Sequence, residues 1–160
     1  MADLIFNKID KYEPGIIYRL LSISYEEMLD EQLKQKFQQF DKEVFDNPDT
    51  IGACTFIISL SSDAIGMASY DPRLAPEQAI VGHNCVLPQY RNNGYGKIQI
   101  LEIIKRLKLR NVCRILVSTS ENPFFEPAQK IYISCGFTEL ERKKRQPQDQ
   151  YKTIYYELKL

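Results

Sequence analysis

The chain has no tryptophan, a single histidine (His83) and four cysteines, and its 21 Lys and Arg are matched by 21 Asp and Glu. Each shortage excludes something. A formal net charge of zero argues against general nucleic-acid binding, which relies on a basic excess to displace counterions. Cys54, Cys85, Cys113 and Cys135 lie far apart inside apolar runs, with no CxxC pair and no Cys/His spacing. They read as buried small hydrophobes of a reducing compartment, neither metal ligands nor disulfides. No apolar run approaches a membrane span, and Met1-Ala-Asp-Leu4 lacks the basic-then-apolar pattern of a secretion signal. The expectation is a cytoplasmic protein with no metal, no membrane and no nucleic-acid partner.

What is present is an ordinary globular composition. At 160 residues the chain is long enough for one domain with a real core, taken as residues 1–160. Residues 15–23 suit a strand or the start of a helix. Ser24, with Glu27 three residues on, has the spacing of a capping box. The helix it would open places Tyr25, Leu29, Leu33, Phe37 and Phe40 on one face. Residues 54–60 and 64–70 read as two strands, joined through Ser61, Ser62 and Asp63 by a short hairpin turn. Residues 112–118 read as a short buried strand, and 127–135 as a helix with Pro127 in its first turn and Gly136 just beyond its end. The last residues alternate, with Ile154, Tyr156, Leu158 and Leu160 on one face, as in a half-buried strand. The charged run 141–145 reads as a solvated connection between the last two strands. Strands mixed with helices predict an α/β sandwich around a mixed sheet.

The most informative stretch is Arg91-Asn92-Asn93-Gly94-Tyr95-Gly96-Lys97. A strand-like run, 78–87, leads into it through Pro88, and a helical run, 98–110, leads out. A strand, a glycine turn and a helix in that order present bare backbone N–H groups to an anion. Glycine opens backbone angles closed to other residues and leaves room for close approach. Lys97 has the wrong sign for a helix N-terminus unless an anion sits there too. A dinucleotide fingerprint would need a third glycine where Gln99 stands, and a nucleotide P-loop would need Ser or Thr where Ile98 stands.

These residues resemble a known family. Val86-x-Pro88 followed by Arg91-Asn-Asn-Gly94-Tyr-Gly96 is similar to the V-x-P and Q/R-x-x-G-x-G/A of the GNAT superfamily of acetyl-CoA-dependent N-acetyltransferases. Ala128, Tyr132, Gly136 and Phe137 are similar to its A-x-x-x-Y-x-x-x-G-F segment, in the same order along the chain. The resemblance implies a GNAT-like fold of about seven strands with flanking helices, in which the fourth and fifth strands splay apart to admit the pantetheine arm of acetyl-CoA. It implies that Arg91, Asn92, Asn93, Gly94, Tyr95, Gly96 and Lys97 hold the pyrophosphate. Val86 and Leu87 would meet the pantetheine through their backbone, and Asn122 would contact the cofactor arm, although ten residues separate it from Tyr132, more than is usual in the family. Tyr132 would serve the departing thiolate.

The resemblance fails at the general base. Many members carry Glu or His four or six residues before the V-x-P valine, where this chain has Gly82 and Ile80. His83 is one residue away, so strand alternation turns it to the other face unless a bulge re-aims it. Asn84 shares the face of Val86 and suits positioning of a water or the acceptor. Glu26 and Glu27 are further acceptor-side candidates. The expected activity is transfer of an acetyl group from acetyl-CoA to a primary amine, on a small molecule or a peptide, by direct attack in a ternary complex. The alternative is a non-catalytic acyl-CoA-binding or sensing module of the same fold. A homodimer is compatible with either.

Overall fold

The computed structural model describes residues 3–160; Met1 and Ala2, the start of the stretch read for a secretion signal, lie outside the described residues. The described residues form seven strands and four α-helices. In chain order they are β1 (Leu4–Lys8), α1 (Ile16–Ser24), α2 (Glu31–Asp46), β2 (Thr55–Leu60), β3 (Asp63–Asp71), β4 (Ala79–Val86), α3 (Tyr95–Leu109), β5 (Arg114–Ser120), α4 (Glu126–Ser134), β6 (Thr138–Lys143) and β7 (Thr153–Lys159). The strands make one mixed sheet in the order β1-β2-β3-β4-β5-β7-β6. Pairs β1–β2, β2–β3, β5–β7 and β6–β7 are antiparallel. β4 and β5 are parallel, as a crossover through α3 requires. Their register holds only at Ala79↔Ile115 and Ile80↔Leu116, two positions in strands of eight and seven residues. This is the mixed, open seven-stranded sheet that the resemblance implies.

The chain divides into two compact units. One takes the chain up to Ser69 together with His83–Tyr95. Its core joins Ile17, Leu20 and Leu21 of α1 to Phe37 and Val44 of α2, Ile57 of β2, Met67 of β3 and Cys85 of β4. Ser61 and Ser62, both at positive φ, close the β2–β3 hairpin, where the twist of a two-residue turn calls for that conformation. The other unit takes Tyr70–Gly82 and Gly96–Leu160. It buries Ile100, Ile103, Ile104 and Leu107 of α3, Ile115 and Val117 of β5, Tyr132 of α4, Phe137, and Ile154 and Tyr156 of β7. Among the described residues no helix is long and apolar enough to cross a membrane.

Three local expectations are corrected. Of the two readings of residues 15–23 the helix holds, from Ile16 with Gly15 as N-cap, and Ser24 closes it instead of opening the next. A 3-10 turn, Glu26–Met28, intervenes, and Asp30 is the residue that caps α2, accepting from Leu33 N at 2.8 Å. Tyr25 and Leu29 therefore lie off α2, whereas Leu33, Phe37 and Phe40 lie on it. The run 141–145 is not all connection, because 141–143 pair with β7 as part of β6. Cys54 and Cys85 are buried as expected, but Cys113 is exposed and Cys135 only half-buried.

Candidate functional site

The glycine turn is built by backbone conformation. After β4, Pro88–Tyr90 makes one 3-10 turn with proline at its start, and Arg91 is extended. Asn92 and Gly94 then take positive φ, 64° and 83°, and α3 begins at Tyr95. Left-handed residues spaced in this way gather successive N–H groups into an anion-binding concavity. The N–H groups of Asn92, Asn93 and Gly94 have no protein acceptor among the described residues. The side-chain amide of Asn93 donates to the carbonyls of Tyr90 (3.1 Å) and Arg91 (3.0 Å), which braces the turn. The turn ends at the N-terminus of a 15-residue helix, whose dipole favours negative charge. A phosphate or pyrophosphate fits this arrangement.

The two glycines do different work. Gly94 supplies the left-handed angle, and a Cβ there would meet nothing within 4 Å. Gly96 lies inside α3, and a Cβ there would come within 2.9 Å of Ile131 Cδ1 on α4. Its smallness serves helix packing, and the atom it would meet is the mobile end of a side chain. Lys97 follows in the first turn, exposed, close enough for its charge to act on the Cys135 thiol.

Upstream of the turn, the end of β4 is tied to α1. Leu87 N–H donates to Ile65 O at 2.8 Å, and its carbonyl accepts from Tyr90 N at 2.9 Å. Tyr25 Oη donates to Asn84 O at 2.9 Å. Arg91 Nε donates to Val86 O at 3.2 Å, and Nη2 donates to Ser24 O at 2.6 Å. Glu26 and Glu27 follow Tyr25 directly, are exposed, and form no ion pair among the described residues. Sequence reasoning missed Ser24 and Tyr25 as partners of β4; Arg91 and Ser24 are 67 positions apart, and no local pattern signals the contact.

His83 faces α2, on the side of the strand that alternation predicts. Its ring meets Phe37 edge-on at 5.8 Å and Phe40 at 4.7 Å. Burial, with Lys36 as a second cause, holds its pKa below 6.5, so the imidazole is neutral near pH 7. The sign of the linked stability follows. Below about pH 6.5 the unfolded chain takes up a proton that the folded one resists, so stability falls as pH drops from there towards the lowered folded value. His83→Leu is expected to flatten that decline below about pH 6.5, measured as urea midpoints across pH; an unchanged slope would remove His83 from this role. Asn84 is half-buried on the opposite side of β4.

In the other unit, Tyr132 lies on α4 at 4% exposure, its ring 5.9 Å from Phe137 and 5.8 Å from Tyr156. Asn122 caps the 3-10 turn Pro123–Phe125, its Oδ1 accepting from Phe124 N at 3.0 Å. Gln129 Nε2 donates to Ser120 O at 2.8 Å, tying α4 to the end of β5, a contact with no sequence signal. Three cations of the basic run are engaged internally. Arg142 pairs with Glu139 (2.8 Å) and Glu121 (3.4 Å), Lys143 pairs with Glu141 (3.0 Å), and Arg145 reaches Ser118 Oγ (3.3 Å). Burial pushes the Cys85 thiol up to about 11, which leaves almost no thiolate at neutral pH and makes it a poor covalent carrier.

The sequence model of the acetyltransferase (GNAT) family matches residues 16–137. No curated protein matches the chain. Among solved structures, a GNAT-family protein from Desulfovibrio desulfuricans superposes with a TM-score of 0.80 at 17% identity, covering 99% of each chain. A GNAT family acetyltransferase from Elizabethkingia anophelis, crystallised with acetyl-CoA, gives 0.68 at 13% identity, covering 98% of each chain. The NatC complex, bound to Gag peptide and CoA, gives 0.72 at 17% identity, covering 99% of each chain.

Proposed function

Since the chain belongs to the GNAT acetyltransferase family, we propose that it transfers an acetyl group from acetyl-CoA to a primary amine by direct attack in a ternary complex. The observation that carries the donor half is the turn at 92–94, whose N–H groups have no protein acceptor among the described residues at the mouth of α3. Those groups, with Tyr95, Gly96 and Lys97 at the start of α3, would hold the pyrophosphate. The thioester, when bound, supplies an acyl carbon activated towards an amine. With Leu87 N–H engaged by Ile65, the backbone contact to the pantetheine arm falls to Val86. Tyr132 is assigned to the departing sulfur, and Asn122 to the cofactor arm.

Direct attack is favoured by the thiols. Cys85 is held protonated by its burial, and burial also raises Cys135. The exposed carboxylates of Glu26 and Glu27, next to the residue that bonds Asn84 O, favour a cationic amine. An amine of pKa about 10.4 is neutral in only about one molecule in a thousand near pH 7.4. Some group must take its proton, and a water held near Asn84 is the assigned relay. Two facts favour a second reading, a non-catalytic acyl-CoA-binding module: Gly82 and Ile80 stand where a base would be, and His83 packs against phenylalanines.

Thermal unfolding with and without acetyl-CoA tests the donor half. A ligand at 100 times its Kd adds about 2.7 kcal/mol. Gly94→Val, which forces a branched side chain to φ 83°, is expected to abolish the shift, whereas Gly96→Ala keeps it. Thiol release over a panel of amines and peptides then separates enzyme from binding module. Absence of any shift with wild-type protein would end both readings.

A further inference from the structure

Arg91 opens the glycine turn, and a cation beside a phosphate cradle invites the reading that it binds the phosphate. Its guanidinium points elsewhere. Nη2 donates to Ser24 O at 2.6 Å, and Nε donates to Val86 O at 3.2 Å. Ser24 is the last residue of α1, so its carbonyl is among those a helix leaves unpaired at its C-terminus, where a cation is favoured. Val86 is the last residue of β4. Beside this link, Tyr25 Oη donates to Asn84 O at 2.9 Å. On its other side Arg91 is fixed into the turn, its N–H donating to Pro88 O and its carbonyl accepting from the side chain of Asn93. One residue therefore joins three things: the turn, the end of β4 and the end of α1.

We propose that Arg91 is a positioning residue that couples the anion cradle at 91–94 to the segment 25–29, so that coenzyme A binding orders the acceptor-side residues Glu26 and Glu27. The inference rests on the proposed donor site and adds to it the residue that would link that site to the end of α1. The physical argument is linkage. An opening of the α1 end that pulls Ser24 away drags on Arg91 and distorts the turn. A ligand that reads the shape of the turn disfavours every such opening. The amides that report it are Tyr25, Met28 and Leu29, whose N–H groups donate to Leu21 O, Tyr25 O and Glu26 O. If opening destroys the cradle completely, a ligand at 100 times its Kd slows their exchange by up to about a hundredfold.

The test is amide hydrogen exchange of the full chain with and without saturating coenzyme A, on the wild type, Arg91→Gln and Tyr25→Phe. Expected for the wild type is slowed exchange at 25–29. In Arg91→Gln that slowing is lost while the Kd for coenzyme A changes less than about threefold, because the backbone cradle remains. Tyr25→Phe, which leaves the turn untouched, is expected to speed exchange at 25–29 without ligand and to keep the ligand response. It also provides a second reading should Arg91→Gln fold poorly. Coenzyme A bound to the wild type with no protection at 25–29 would overturn the proposal. So would an Arg91→Gln protein that loses more than about tenfold in affinity yet is protected like the wild type once saturated, since Arg91 would then be a phosphate ligand. If the wild type binds no coenzyme A, the donor site itself is wrong and the coupling falls with it.

Discussion

Replacing Tyr132 by Phe is expected to lower kcat about a hundredfold at saturating acetyl-CoA while leaving the Kd for acetyl-CoA within about a factor of two. The ring is held by packing against Phe137 and Tyr156, which Phe reproduces, so the loss reports the hydroxyl. In the proposed reaction, negative charge develops on the departing sulfur as the amine attacks. A phenol near 10 is a weaker acid than a thiol near 8.5, so complete proton donation is uphill by about 2 kcal/mol. Hydrogen-bond donation to the developing thiolate is favourable throughout, and a donor that acts on transition-state charge contributes about 2.7 to 4 kcal/mol. The split between kcat and binding is the discriminating observation. A Tyr132→Phe enzyme with wild-type kcat would leave the sulfur without this donor and return Tyr132 to the role of a core aromatic. An equal loss in kcat and in acetyl-CoA affinity would point to a displaced α4 instead.

What could be read from the sequence, and what could not, follows the range of the forces involved. The glycine turn was legible because its signal is local: a left-handed angle at Gly94, then an apolar stripe through Ile100, Ile104 and Leu107 that buries one face of α3. β7 was legible because it buries alternate residues, Ile154 and Tyr156. The extent of β6 was not, because all six of its residues are exposed; its pairing with β7 is what carries it to Lys143. The Ser24–Glu27 spacing misled for a similar reason. Ser24 is 2% exposed, and a serine buried at a helix end has the same local sequence as one that opens a helix. The site divides along the same line. The backbone cradle is written in seven consecutive residues, whereas the Arg91–Ser24 and Tyr25–Asn84 ties span 67 and 59 positions, and only the fold brings them together.

Asp41→Ala is expected to cost about 3 kcal/mol of folding stability, among the larger effects of a single substitution. Asp41 sits on α2 at 5% exposure, and its carboxylate caps the start of a different helix. Oδ1 accepts from Gly15 N at 2.9 Å, and Oδ2 from Gly15 N at 3.1 Å and Tyr18 N at 3.0 Å. Gly15, at φ 103°, brings no side chain of its own to cap α1, so the acid is supplied from α2. Removing it strips two charge-assisted bonds and leaves part-buried N–H groups without an acceptor, where each loss weighs about 1.5 to 3 kcal/mol. Urea unfolding should show a lower midpoint at unchanged m, and thermal unfolding a Tm lower by about 6 to 12 °C. Asp41→Asn, which keeps one acceptor oxygen, should fall between wild type and alanine. The adjacent Lys42 is the control: its ion pair with Asp46 is solvent-exposed, and Lys42→Ala should leave the midpoint where it is. A loss below about 1 kcal/mol for Asp41→Ala would mean that water replaces the carboxylate at little cost. The consequence for function follows from where α1 ends. Its first turn is held by Asp41 and its last carbonyl by Arg91, so the helix that carries Ser24 towards β4 is fixed at each end by a side chain from another element. An Asp41→Ala protein that still folds should therefore lose order at 25–29 before it loses the backbone cradle at 91–94.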